Sequence, residues 1–222
     1  MFDPLALDEF ESRTGIRKSD FSGIWDRADR IVALRDLAAV TGVQAMPWPY
    51  LEKLIRGVTL AGDRTRRPYR DGQIRQLRMD PRGLTLGQTF IQRSKYQALL
   101  EHFGDFFRGF CVTNGVAKST AAIVLGRTAD GTPAIAHYLP PIVEEHDGKF
   151  ILMDGVHRNF LVRCVGTTIE SIVVRNVAEP FPCDARPWEE VQVTEEKPAK
   201  DQRFFNLRPE LFRDVKHIGI DG

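Results

Sequence analysis

Along residues 24–40, apolar side chains recur at Ile24, Ala28, Ile31, Leu34, Leu37 and Ala38. Asp26, Arg27, Asp29, Arg30, Arg35 and Asp36 fill much of the remainder, as the 3.6-residue turn of an amphipathic helix requires. Gly42 then supplies a stop signal. Pro47 and Pro49 make 46–50 a rigid connection, and a short helix is expected over 50–56. A firmer helix is predicted over 90–107, with Thr89 as its N-cap. Its broad apolar face is Phe90, Ile91, Leu99, Leu100, Phe103, Phe106 and Phe107, and Gly109 closes it. Between these helices, glycines at 57, 62, 72, 83 and 87 and prolines at 68 and 81 predict turns and loops.

From residue 119 the texture changes to strands. Segments 120–125 and 134–139 flank Ala129-Asp130-Gly131-Thr132, a hairpin signal. Pro140-Pro141 interrupts, and then 142–145 and 149–153 flank His146-Asp147-Gly148, a second hairpin signal. Residues 156–165 read as a short helix stopped at Gly166, and the β-branched run 167–177 reads as a strand. Pro180, Pro182 and Pro187 mark a loop before a charged tail, which Phe204, Phe205, Leu207, Leu211 and Phe212 could dock onto the body. The expected class is α+β: a mainly helical region 1–109, a compact core 110–178 and a C-terminal extension 179–222.

Composition changes this picture little. The chain has 222 residues, 42% hydrophobic and 27% charged, within the ordinary globular range and enough to bury a core without staples. A formal net charge of +1 gives no whole-molecule argument for a nucleic-acid partner. Cys111, Cys164 and Cys183 are odd in number and widely separated, which disfavours a disulfide framework or a cysteine-rich zinc site. The beginning Met1-Phe2-Asp3-Pro4 lacks a basic, then apolar, secretory pattern, and no apolar run reaches membrane-spanning length. A cytoplasmic protein without a membrane partner is the expectation.

The chemistry-bearing motif is Asp154-Gly155-Val156-His157-Arg158, at a predicted strand-to-helix junction. Such a junction aims unsatisfied backbone N–H groups and the positive end of the helix dipole at one spot, a ready anion site. Gly155 allows a sharp turn and a close approach. Arg158 offers a planar fork for phosphate oxygens. His157 could donate to phosphate or act as acid or base, and Asp154 could cap the helix, hold its neighbours or help coordinate magnesium. His157 and Asp154 are therefore the candidate catalytic pair. Gly155, His157, Arg158 and Lys118 are the candidate phosphate- or nucleotide-binding residues. An equally plain reading makes the motif a common Asp-Gly turn with surface decoration.

The stretch from Pro141 to Arg158, PIVEEHDGKFILMDGVHR, resembles the central segment of the ParB/sulfiredoxin superfamily. There a hydrophobic strand, a turn, a second strand, D-G-x-H-R, a helix, a glycine and a strand follow in that order. The resemblance covers about 40 residues well and about 70 loosely, leaving out the first hundred and the last forty. It implies a ParB/sulfiredoxin-like mixed sheet with short helices and a phosphate-bearing ligand at Gly155, His157 and Arg158. The superfamily includes CTP-hydrolysing partition proteins, DNA-nicking enzymes, ATP-using sulfiredoxins and ADP-dependent serine kinases. Magnesium with ATP or CTP is the implied cofactor, and hydrolysis, phosphoryl transfer or DNA nicking the implied chemistry. This chain departs from the pattern twice. Val156 stands where sulfiredoxins need a reactive cysteine, and a carbon side chain cannot form a thiosulfinate. Asn159, Phe160 and Leu161 replace the small alanines usual behind the site. No helix-turn-helix pattern follows the motif, which weakens a partition role.

Residues 56–95 carry ten basic side chains against Asp63, Asp71 and Asp80. If they share a face, they could track DNA or RNA, with Arg64, Arg66, Arg67 and Arg70 the densest contacts and Tyr69 and Tyr96 available to stack. Pairing with acidic regions of the same chain is the alternative. A non-catalytic nucleic-acid-binding module is thus the second functional reading, and oligomerisation is left open. Lys118 sits in a Lys-Ser-Thr sequence without Walker A glycine spacing. Glu144 and Glu145 alternate on a strand, so at most one faces the motif, and solvated surface is the simpler expectation. The histidines show no ligand spacing, so no structural metal is expected. Cys164 is expected to be a buried, inert thiol.

Overall fold

The computed structural model describes residues 3–17, 28–97 and 121–220. The protein is α+β, with several sheets and few short helices. It divides into two units, each assembled from separated stretches of chain. One comprises Met1–Asp71, Thr120–Leu139 and Arg213–Gly222; the other comprises Gly72–Ser119 and Pro140–Phe212. Among the described residues no helix is long and apolar enough to cross a membrane.

In the first unit, β1 (Leu5–Ala6), β2 (Arg30–Ile31), β3 (Leu37–Ala45), β8 (Ala122–Thr128) and β9 (Pro133–Tyr138) form a sheet of order β1-β2-β9-β8-β3. The 24–40 pattern is not a helix where it is described: it holds β2, a short 3-10 turn at Leu34–Asp36 and the start of β3. Val40, Thr41 and Val43 are β-branched, and β3 pairs antiparallel with β8 along its length. Of the stripe's described positions, Ala28 and Ile31 are buried, Leu37 is half-buried, and Leu34 and Ala38 are exposed, so they do not form one buried face. Gly42 lies inside the strand rather than ending a helix. The short helix does appear, as α2 (Trp48–Arg56), with Pro49 in its first turn and Tyr50, Leu51, Leu54 and Ile55 buried. With α1 (Leu7–Thr14) it accounts for the unit's described α-helix, so the region is not mainly helical. Tyr50, fully buried, donates its hydroxyl to Nε2 of His137 (2.7 Å), and His137 Nδ1–H donates to Gly219 O (3.2 Å). This chain ties α2, β9 and the C-terminal segment into one polar thread through an apolar core.

The second unit is built on β5 (Gln73–Met79), β6 (Thr85–Leu86), β10 (Ile142–His146), β11 (Lys149–Asp154) and β12 (Ile169–Arg175), in the order β5-β12-β10-β11-β6. The expected hairpin is present as β10 and β11, turned by Asp147 (φ 50°) and Gly148 (φ 73°). Helix α3 (Val156–Cys164) follows at once, Gly166 lies just beyond it at φ 69°, and β12 returns parallel to β10. Alternation along β11 sends Leu152 to one face and Ile151 to the other. On the first face Leu152, Val143 and Val173 join Leu84, Leu86, Ile91, Val156 of α3 and Trp188. On the other, Ile151 packs with Phe181 and Cys183, joined by Phe204 and Leu207.

Three expectations change here. The segment 56–95 is not all loop, since β5 is a seven-residue strand antiparallel to β12. Residues 90–92 form strand β7 (Phe90–Gln92), not the start of a helix; helical residues begin at Arg93. β7 is fixed by a distant partner, β13 (Gln192–Thr194), running parallel to it, a pairing no local signal announces. The remainder of the 90–107 helix, the start of the 24–40 pattern and Lys118 lie outside the described residues. The β8–β9 hairpin, expected in the same core as the motif, belongs to the first unit.

Candidate functional site

The site begins where β11 ends. Asp154 is its last residue, and Gly155 is the N-cap of α3 with φ 90° and ψ 28°. An L side chain is strained there, and a Cβ at Gly155 would lie 2.9 Å from Cβ of Pro141. Glycine is needed on both grounds. Asn159, fully buried, donates Nδ2–H to Gly155 O (3.1 Å), and its own backbone N–H donates to the same oxygen (3.0 Å). The turn is thus held from beneath by the first turn of the helix it starts.

Val156 is buried in the core shared with Leu152 and Trp188. Phe160 packs edge-on against Tyr96 (5.5 Å between centroids) and near Trp188. Tyr96, Phe160 and Trp188 thus form one aromatic group behind the motif. Trp188 is anchored in turn by Nε1–H donating to Pro81 O (2.7 Å).

His157, in the first turn of α3, is half-buried and lies edge-on to Phe90 (5.9 Å, 87°). The backbone N–H of Gln92 donates to its Nε2 over 2.9 Å. Nε2 is therefore an acceptor, and the neutral ring carries its proton on Nδ1. Burial holds its pKa down to about 4, and the positive charges of Lys95, Arg158 and Lys197 push in the same direction. Arg158 faces Asp154 one turn back, with 3.5 Å between guanidinium nitrogen and carboxylate oxygen.

The two lysines owe their position to the β7–β13 pairing. Thr194 is in register with Gln92, so Lys95 and Lys197 each follow three residues beyond that paired position. With Arg158, they bring three positive charges to bear on His157, in the first turn of a nine-residue helix. Sequence reading named the helix terminus and Arg158. It noted Lys95 only as one of many basic residues and missed Lys197, Phe90 and Gln92, because β13 joins them from a hundred residues away.

The other candidates are placed elsewhere. Arg64, Arg66, Arg67 and Arg70 belong to the first unit, while the motif and Arg75, Arg78, Arg82, Arg93 and Lys95 belong to the second. The basic stretch is therefore divided between two units. Arg64 approaches Asp214 (3.8 Å), Arg67 donates to Arg13 O (3.2 Å) and Arg70 pairs with Asp71 (3.2 Å). Pairing within the chain accounts for much of their charge. Arg75 and Arg78, three apart on β5, point to opposite faces.

Glu144 is fully buried, not solvated, and accepts from Nε2–H of His146 (2.6 Å). It shares the face of Ile151, its partner across the hairpin, and so lies on the side of the sheet away from α3. Glu145 takes the α3 side and pairs with Arg175 (2.6 Å). Cys164 is exposed at the last residue of α3, whereas Cys183 is buried and donates to Gly87 O (3.2 Å). The apolar neighbours of Cys164 in sequence do not cover it, because it sits on the outer side of a short helix. Among the described residues no group of three or more His, Cys, Asp or Glu could hold a metal ion.

A cleft of about 470 Å³ opens on the same β7–β13 ribbon, lined by Thr89, Phe90, Gln192, Thr194, Gln202 and Phe205. Glu190 and Pro198 complete its wall. No family model matches the chain, and no curated protein and no solved structure matches it either.

Proposed function

We propose that the second unit is a ParB/sulfiredoxin-like domain that binds the phosphate groups of a nucleotide at Gly155, His157 and Arg158. The observation that carries this reading is the strand-to-helix turn at Gly155, which sets Arg158 in the first turn of α3, with Lys95 and Lys197 close enough to act on His157. The order β10, turn, β11, Gly155, α3, Gly166, β12 supports the family resemblance. Cations, a helix N-terminus and a glycine that lets a ligand approach the backbone together suit a polyanion. Val156, a core residue, has no part in sulfinic-acid reduction.

His157 supports binding over acid catalysis. It is a neutral ring near pH 7 with Nε2 engaged, and its free contribution is the Nδ1–H donor. Magnesium would arrive with the nucleotide phosphates, and Asp154 is the motif's carboxylate beside them. Nucleotide hydrolysis or DNA nicking would need chemistry beyond this donor set, and metal-dependent nicking lost in His157→Ala is the test for it.

The binding test is a thermal-shift series on the full chain with ATP, CTP, GTP and their diphosphates, with and without magnesium. A ligand that binds only the native state raises the midpoint. The expected result is a dose-dependent rise that Arg158→Ala abolishes. An unchanged midpoint with every nucleotide, together with DNA or RNA binding of steep salt dependence, would favour the nucleic-acid-binding module instead.

A further inference from the structure

We infer that the cleft on the β7–β13 ribbon is a base-binding subsite, so that the ligand is a nucleoside phosphate held at both ends. This rests on the phosphate reading of the motif and specifies what that phosphate carries. Parallel pairing places Phe90 beside Gln192 and Gln92 beside Thr194, so these four side chains share one face of the ribbon. Phe90, Gln192 and Thr194 line the cleft from that face, and Gln202 and Phe205 line it from the segment that follows.

The lining has the chemistry a planar heterocycle needs. Phe205, exposed, supplies ring surface, with the Arg186 guanidinium 4.2 Å from its centroid; Phe90 is buried and forms the floor, with Arg203 5.5 Å from its centroid. Bases stack on aromatic rings and on guanidinium planes alike. Gln192 presents an amide donor and acceptor to a base edge, Gln202 presents its amide N–H groups while its carbonyl accepts from Ala199 N–H (3.3 Å), and the buried Oγ1 of Thr194 has no hydrogen-bond partner. Glu190, at the wall, lies 3.8 Å from Arg186 and can accept from an exocyclic amine. A volume of 470 Å³ falls in the range of small-ligand pockets, roughly 300–1,000 Å³.

The cleft is also joined to the anion site through shared residues. Phe90 lines the cleft and meets His157 edge-on at 5.9 Å, while Gln92, two residues on, locks the His157 ring. Phe90 is thus common to the wall of the cleft and the surroundings of His157 in the first turn of α3. A sugar carrying phosphates is what joins a planar ring to such a site.

The experiment is titration calorimetry on the full chain with two probes, inorganic tripolyphosphate and each of ATP, CTP, GTP and UTP. Wild type, Phe205→Ala and Arg158→Ala are compared; Phe205 is partly exposed, so its truncation leaves the core intact. At least one nucleotide is expected to bind roughly ten-fold tighter than tripolyphosphate. Phe205→Ala is expected to remove that advantage while leaving tripolyphosphate affinity unchanged, and Arg158→Ala to weaken both. If tripolyphosphate and all nucleotides bind alike in wild type and Phe205→Ala, the base subsite is wrong while the phosphate site stands. If neither probe binds, both readings fall.

Discussion

The backbone N–H of Gln92 and the Nε2 of His157, 2.9 Å apart, lock the motif histidine to strand β7. A ring held this way is a donor through Nδ1–H only, and protonating it requires breaking the bond from Gln92. Long-range ¹H–¹⁵N spectra at pH 7 should show a neutral His157 with its proton on Nδ1. The titration midpoint should lie near 4, below the ordinary 6.5, because of burial and the charges of Lys95, Arg158 and Lys197. Adding tripolyphosphate should raise that midpoint, since an anion favours the imidazolium. A midpoint near 6.5 that ignores the anion would detach His157 from the site.

Gly155 joins strand to helix at φ 90° while nearly touching Pro141. Gly155→Ala should therefore destabilise the second unit by about 1–3 kcal/mol, the usual range for a strained backbone position. Urea unfolding followed through Trp188, which sits in that unit's core, reads the change. The variant should also weaken phosphate binding, because relieving the Pro141 contact moves the backbone donors. Full stability in Gly155→Ala would show that the turn is not fixed as described.

His137 offers a pH test in the first unit. Burial lowers its pKa to about 4 from 6.5, so between those values the unfolded chain binds more protons than the folded one. Stability from this group is complete above pH 6.5 and is lost as pH falls toward 4, in total on the order of 3 kcal/mol. His137→Phe should be less stable at pH 7 yet show a flatter decline between pH 6.5 and 4. Tyr50→Phe leaves His137 Nε2 without its donor and should cost about 1–3 kcal/mol at pH 7. Denaturant midpoints measured across that pH range decide both.

How much of this was legible depends on where each pairing partner lies in the chain. The hairpin at Asp147-Gly148, helix α3 between Gly155 and Gly166, and strand β12 are local in origin, and turn chemistry and β-branching announce them. β3 was hidden because Leu34, Leu37 and Ala38 imitate a helical stripe while the partner that makes the segment a strand, β8, lies some eighty residues on. The same reason hid half the site. Arg158 and Gly155 could be read from the motif, but Lys197 and the cleft exist only because β13 returns to β7. Glu144 was misjudged as surface because alternation says that two adjacent glutamates divide between faces, not that both faces are covered.

The divided basic stretch separates the two functional readings. Arg64, Arg66, Arg67 and Arg70 belong to a different unit from the motif, and Arg64, Arg67 and Arg70 have partners within their own unit. Replacing all four with glutamine should leave tripolyphosphate and nucleotide affinity within about two-fold of wild type. A nucleic-acid-binding role would instead lower DNA affinity and reduce the salt slope, by roughly one for each lost phosphate contact. Calorimetry with nucleotides and salt-dependent DNA titrations on the same variant make the comparison.

Asp154 and Arg158 form the last test. The carboxylate lies 3.5 Å from the guanidinium that is to grip phosphate, and its own negative charge opposes an incoming anion. Without magnesium, Asp154→Asn should bind tripolyphosphate more tightly, by roughly three-fold given the modest worth of partly exposed ion pairs. With magnesium, wild type should gain more nucleotide affinity than Asp154→Asn, because a charged carboxylate shares the metal with the phosphates more strongly than a neutral amide. If Asp154→Asn binds more weakly in both conditions, the residue serves to orient Arg158, and Arg158→Lys should then lose affinity to a similar degree. Calorimetric titrations with and without the metal distinguish these outcomes.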